Sequence, residues 1–275
     1  MATVPIIIKT VSADPWVIGV MRLGIATLCT LVFIRSSREL WKRSAAELRV
    51  LALIGLVFSL HWATYFIGIK MTSPSVAAIA VATYGVHVSL LGRILLRQAP
   101  NALQWASVFL ALGGTVLVVD TFSLRDVATA GFVLIIFSAF INAFMPILHQ
   151  RNISIPVNVR TLGQYLFALP LFLCMVPGSD LTLPRNDWLG MIFLGIFATF
   201  VAHTLWIRSS SVLPPHISGL IFYLYVPLTM VLSSSILGEQ IGWRKIAGAT
   251  LIVGASCLGI YSQRSAPAIE ARESE

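Results

Sequence analysis

Eight side chains in this sequence have the chemistry to hold a small solute: His61, Tyr65, Tyr84, His87, Asn142, His203, Trp206 and Tyr225. All stand inside long apolar runs, where an ionisable or amide group is costly and faces a protein interior or a water-filled cavity. His61 and Tyr65 are four residues apart, while Tyr84 and His87, and His203 and Trp206, are three apart, so each pair shares one helix face. Together they offer rings for stacking, hydroxyl, indole and amide groups for hydrogen bonding, and imidazoles that titrate near neutral pH. This is recognition chemistry. It suits a neutral or zwitterionic solute better than a multivalent cation, because no carboxylate is among the eight. The chain has no HxxxH, paired-Asp or Cys/His spacing of a catalytic or metal-binding set, so the sequence predicts no catalytic residue, metal or cofactor.

Each candidate has a plainer competitor. Asn142 and His149, seven apart on one face with Pro146 between them, can serve as an interhelical hydrogen bond and an interfacial residue, and His61 and His203 can cap neighbouring carbonyls. Arg22, the one arginine well inside an apolar run, reads as a structural side chain that snorkels to the nearer surface. Glu239 reads as structural, balanced by Arg244 and Lys245.

The elements that carry these residues follow from composition. Of 275 residues, 57% are hydrophobic and only 11% charged, against roughly 45–50% and about 25% in soluble domains. Lipid must therefore cover most of the surface. The apolar residues form runs at 16–34, 48–69, 74–95, 102–119, 128–149, 159–176, 186–207, 214–237 and 243–261, preceded by a short apolar opening at 1–13. A span needs about 20 residues, and runs this continuous are helices, not the alternating strands of a barrel. The predicted fold is an all-α integral membrane bundle of ten helices, the first of them short. The net charge of +8 sits in the loops between spans, where lipid topology accounts for it without a nucleic-acid partner. Cys29, Cys174 and Cys257 read as small core residues. The opening MATVPIIIKT lacks the basic start and cleavage site of a signal peptide, and the polar segment 262–275 reads as a disordered cytoplasmic tail.

Sliding the sequence against itself by 141 residues superposes Pro5 on Pro146, Pro15 on Pro156, Pro74 on Pro215, Tyr84 on Tyr225 and Gly113 on Gly254. The chain therefore reads as two five-helix units, 1–119 and 128–261, the first lacking the counterpart of residues 128–141. An odd helix number per unit inverts the second unit relative to the first. With both termini in the cytoplasm, twelve basic loop residues lie inside and six outside, led by the basic loop at 35–49. Pro74, Pro214 and Pro215 mark helix starts, where a missing N–H costs little. Pro5, Pro146 and Pro227 are expected to kink helices that line a cavity, and Gly113, Gly114, Gly248, Gly254 and Gly259 to permit close helix approach. The stretch LPPHISGLIFYLYVPL at 213–228 then reads as part of a cavity wall, with Gly219 allowing close packing.

The closing segment of each unit, a proline-led helix followed in the second by ILGEQ at 236–240 and WRKIAGATLIVGA at 243–255, resembles the EamA domain of the drug/metabolite transporter superfamily. The resemblance covers almost the whole chain, twice, although Gln98 replaces in the first unit the acid that Glu239 supplies in the second. It implies two inverted five-helix repeats, cytoplasmic termini, and export of amino acids or other small metabolites across the cytoplasmic membrane of a bacterium by alternating access. Helices 1, 3, 4, 6, 8 and 9 would then enclose a cavity that includes all eight candidates. The partners implied are a small-molecule substrate and the lipid bilayer, with a homodimer left open. Two other classes compete: a non-transporting membrane subunit or sensor, and a membrane-embedded lipid enzyme, for which the clustered acids, bases or metal ligands are missing.

Overall fold

The computed structural model describes residues 1–95, 101–118, 125–212 and 215–264. In chain order these form a short helix α1 (Val4–Thr10), α2 (Pro15–Phe33), a 3-10 segment (Arg35–Lys42), α3 (Ala45–Met71), α4 (Pro74–Val81), α5 (Tyr84–Leu95), α6 (Ala102–Val118), α7 (Val127–Asn142) and α8 (Phe144–Arg151). There follow α9 (Val157–Met175), α10 (Arg185–Phe193), a π-helical stretch (Leu194–Val201), α11 (Ala202–Val212), α12 (Pro215–Leu237) and α13 (Trp243–Arg264). No strand occurs among the described residues. Among the described residues six stretches are long and apolar enough to cross a bilayer: Pro15–Phe33, Ala45–Met71, Pro74–Gly92, Val127–Arg151, Val157–Met175 and Arg185–Ser210. Ala102–Val118 and Tyr225–Leu237 are shorter apolar helices. The chain is a multi-pass helical membrane protein, and Phe33, Phe109, Val116 and Val231 are exposed on its outside, where lipid is the solvent. Pro214, Gln98 and the tail beyond Arg264 lie outside the described residues, as does the packing expected of Gly219.

The helix starts are written locally. Ser44 and Glu47 form a reciprocal capping box at the start of α3, Asp126 accepts from the Thr129 amide at the start of α7, and prolines open α2 and α4. Pro5 behaves in the same way: it sits in the first turn of α1, where its missing N–H has no partner to lose, and it does not kink an interior. Pro146 does break a helix. It follows Asn142 by four residues, removes the N–H that the Asn142 carbonyl would accept, and separates α7 from α8 at Ala143. The break between α4 and α5 at Ala82–Thr83 has no proline; the Ala82 carbonyl accepts from the Ser256 hydroxyl of α13 at 2.9 Å instead. Pro227 lies inside α12, and so does Pro170 inside α9.

Two glycines set the spacing of the pair that carries the first candidates. A Cβ on Gly68 of α3 would fall 2.9 Å from the Gly131 carbonyl oxygen of α7, and one on Gly131 would fall 3.0 Å from that of Gly68. Only glycine permits this approach, and it brings α3 and α7 close enough for side chains two turns away to hydrogen-bond. α6 and α13 cross in the same manner at Gly114 and Gly248, whereas Gly113 and Gly254, the pair matched by the repeat offset, face open space.

Candidate functional site

The helices enclose a cavity of about 70 Å³ lined by Met1, Val4, Arg22, His61, Trp62, Tyr65, Phe66, Val81, Asn142, Ala198, His203, Trp206 and Tyr225. Six of the eight candidates read from sequence therefore meet. Tyr84 and His87 do not. After the break at Ala82–Thr83 the helix that carries them packs against α7 and α13, so that Tyr84 is fully buried away from the cavity and His87 sits edge-on to Phe140 at 5.7 Å.

His61 is fixed by α7. The Ser138 hydroxyl donates to the His61 carbonyl at 2.7 Å, so its oxygen accepts from the imidazole Nδ1–H at 2.8 Å. That assignment leaves Nε2 as the acceptor. The His61 ring stacks on Tyr65 at 5.9 Å, and the Tyr65 hydroxyl hydrogen-bonds that of Tyr225 on α12.

His203 on α11 is stacked between Phe58 at 4.9 Å and Trp206 at 5.2 Å. Behind it runs a polar chain with a consistent direction. Arg160 Nη1 donates to His149 Nδ1 at 3.2 Å, His149 Nε2–H donates to Gln164 Oε1 at 2.8 Å, and the Gln164 amide donates to His203 Nε2 at 3.0 Å. Arg160 is anchored in turn on the carbonyls of His149 and Ile155. His149 is thus fully buried within this chain of bonds instead of lying at an interface.

Arg22 departs most from the sequence reading. It does not snorkel; it is 3% exposed and lies on the cavity wall. Its guanidinium carbon is 4.0 Å from the centroid of the Trp62 ring and 5.1 Å from that of Phe66. Its Nε donates to the Thr199 hydroxyl at 3.0 Å. Thr199 is presented by the π-helical stretch, where its own hydroxyl donates to the Leu194 carbonyl five residues back. Arg22 Nη1 and Trp206 Nε1 are buried donors without a hydrogen-bond partner, and none of the residues lining the cavity is a carboxylate. Gln164, Thr199 and Ser138 escaped the sequence reading because isolated Gln, Thr and Ser residues carry no spacing signal. Trp62, one residue from His61, is indistinguishable by type from a core aromatic. Among the described residues no group of three or more His, Cys, Asp or Glu could hold a metal ion.

Both ends of the bundle are laced. At one, Glu239 accepts from Ser73 at 2.5 Å and from Lys245 at 2.8 Å, and also from the Ser75 and Ser233 hydroxyls. Burial works against the ionised carboxylate of Glu239, but these donors, Lys245 first, hold its pKa down at about 2. At the other end, Asn158 bridges Ser36 at 2.7 Å and Arg208 at 2.9 Å.

Comparison with known proteins gives one answer. The model of the EamA-like transporter family matches residues 1–120 and again 129–261. YyaM, an uncharacterized transporter of Bacillus subtilis (strain 168), is 25% identical over 246 residues, which cover 84% of this chain and 80% of that protein. An uncharacterized transporter of Archaeoglobus fulgidus is 28% identical over 205 residues, covering 70% and 69%. A solved crystal structure superposes with a TM-score of 0.71 at 17% identity over 96% of this chain and 94% of the other, a likeness of fold alone. The two family-matched segments contribute jointly to the cavity, Arg22, His61 and Tyr65 from the first and Asn142, His203, Trp206 and Tyr225 from the second, and the chain belongs to the EamA-like transporter family of membrane transporters.

Proposed function

We propose that the protein is a secondary transporter that exports amino acids or other small metabolites across the cytoplasmic membrane of a bacterium by alternating access. The observation that carries this reading is a polar, aromatic cavity built jointly by two family-matched segments and flanked by a polar cluster toward each end. A site at the interface of two repeats is exposed to each side in turn when one repeat rocks against the other. In this reading the segments are inverted repeats with both termini in the cytoplasm. The Glu239 cluster, which ties α12 to the start of α4, is then the outer latch, and Asn158 with Ser36 and Arg208 the inner one.

The test is metabolite profiling of medium and cytosol from bacteria that express the chain, beside an Asn142→Ala, His203→Ala variant. A solute enriched in the medium only with the intact cavity supports export and names its class. Equal profiles for the intact chain, the variant and an empty vector would sink the proposal.

A further inference from the structure

We infer that the cavity takes a monocarboxylate with an apolar body, its carboxylate held by Arg22 and Trp206; this substrate class rests on the transporter reading above. The guanidinium of Arg22 has three surfaces available for recognition, and two are committed. Its face lies on Trp62 and Phe66, and its Nε donates to Thr199. What remains is the Nη edge, where Nη1 is buried and has no partner. That edge is the fork that meets a carboxylate in its own plane with two parallel hydrogen bonds.

A buried cation is costly to retain unless an anion joins it, and no Asp or Glu lines the cavity to supply one. The second unpartnered donor, Trp206 Nε1, lines the same cavity and adds one neutral hydrogen bond to the same anion. Arg22 is the one arginine or lysine in the lining, the Met1 amine lies near it, and its free Nη edge is a single fork that engages one carboxylate. Val4, Trp62, Phe66, Val81 and Ala198 give the lining an apolar part that accepts a hydrophobic body, beside the polar Asn142. An ammonium group would find no carboxylate partner there, so an organic acid, or an amino acid with its amine acylated, fits better than a free zwitterion.

The experiment titrates 3-phenylpropanoate, 3-phenylpropanamide and phenylalanine into the purified full chain in lipid nanodiscs and follows heat of binding and tryptophan fluorescence. Arg22→Gln and Trp206→Phe variants are compared with wild type, with elution volume and unfolding temperature confirming that each is folded, and Arg22→Lys standing in if Arg22→Gln does not fold. The acid is expected to bind at least tenfold tighter than the amide or phenylalanine. Arg22→Gln should weaken it by about 30-fold or more, the lower bound for truncating one member of a buried charged pair, and Trp206→Phe by about tenfold. Equal affinity for acid and amide, or undiminished binding of the acid by folded Arg22 variants, overturns the inference. The export assay separates the two proposals: export of a solute without a carboxylate leaves the transporter standing and overturns this assignment. Arg22-dependent binding of the acid without cavity-dependent export leaves the assignment standing and removes transport.

Discussion

The hydroxyls of Tyr65 on α3 and Tyr225 on α12 hydrogen-bond to each other, joining the two family-matched segments at the cavity wall. Tyr65→Phe and Tyr225→Phe are each expected to lower the stability of the protein by about 1 kcal/mol. Because both remove the bond they share, the double variant should lose little more than Tyr225→Phe alone, whose hydroxyl also meets Thr229. Unfolding of the four proteins in one detergent measures the coupling, and simple additivity would show that the two hydroxyls do not work as a pair.

The approach of Gly68 to Gly131 predicts a graded series. Gly131→Ala places a Cβ 2.6 Å from that of Met71 and 3.0 Å from the Gly68 carbonyl oxygen, so α3 and α7 must separate. His61 and Ser138, two turns along the same crossing, then lose their paired hydrogen bonds. A loss of about 2 kcal/mol or more is expected, from overpacking plus an unmade buried bond. Gly113→Ala, which meets open space, should be neutral or slightly stabilising, since alanine favours the helix by roughly 1 kcal/mol over glycine. Thermal unfolding of the two variants side by side decides it.

Gln164 is the link that joins His149 to His203. Gln164→Leu keeps the volume but strands a donor on His149 and an acceptor on His203, each fully or almost fully buried. The expected cost is about 2 kcal/mol, one unmet buried group at ~1–3 kcal/mol being enough to reach it. A second readout is specific to the chain of bonds: the imidazole proton signals of His149 and His203 in nitrogen-detected NMR should both move in this variant. Movement of one alone would show that the two rings are not joined through Gln164.

The sequence carried the scaffold well for a physical reason. A bilayer imposes one length and one polarity on every span, so apolar runs such as 48–69 and 74–95 mark helices that the structure places at Ala45–Met71 and, with a break, at Pro74–Leu95. The broken helix was legible at Pro146, because a missing N–H is written in the residue type, and illegible at Ala82–Thr83, where the Ala82 carbonyl accepts from Gly85 and from Ser256, 174 residues away. The cavity lining was legible where polar residues are rare in lipid, as at His61, Asn142 and His203. Arg22 misled because distance along a helix does not tell which way a long side chain points. Its direction is set by Trp62 and Thr199, which reach it only in the folded bundle.

Glu239 gives the acid side of stability. Its carboxyl titrates near 2 in the folded protein and at 4.5 without a fold around it. A depressed carboxyl pKa means that the folded state is favoured wherever the unfolded carboxyl is ionised, so this contribution is fully present above about 4.5 and disappears as pH falls toward 2. Unfolding temperature measured between pH 6 and pH 3 should fall for the wild type and fall less steeply for Glu239→Gln, whose amide does not titrate there. Parallel curves for the two proteins would assign the acid sensitivity elsewhere.

Arg22 should trade stability against binding. Desolvating a cation costs several kcal/mol. Against this the ligand-free protein sets a cation–π contact worth about 2 kcal/mol with Trp62 and a hydrogen bond to Thr199 worth about 1 kcal/mol. The balance is a net cost that only a bound anion removes. Arg22→Met, which keeps the contact with the two rings and drops the charge, is therefore expected to raise the stability of the ligand-free protein by on the order of 1 kcal/mol while abolishing its stabilisation by 3-phenylpropanoate. Thermal unfolding with and without the acid reads both effects in one experiment. A ligand-free Arg22→Met protein that is less stable than wild type would mean that the arginine is part of the scaffold.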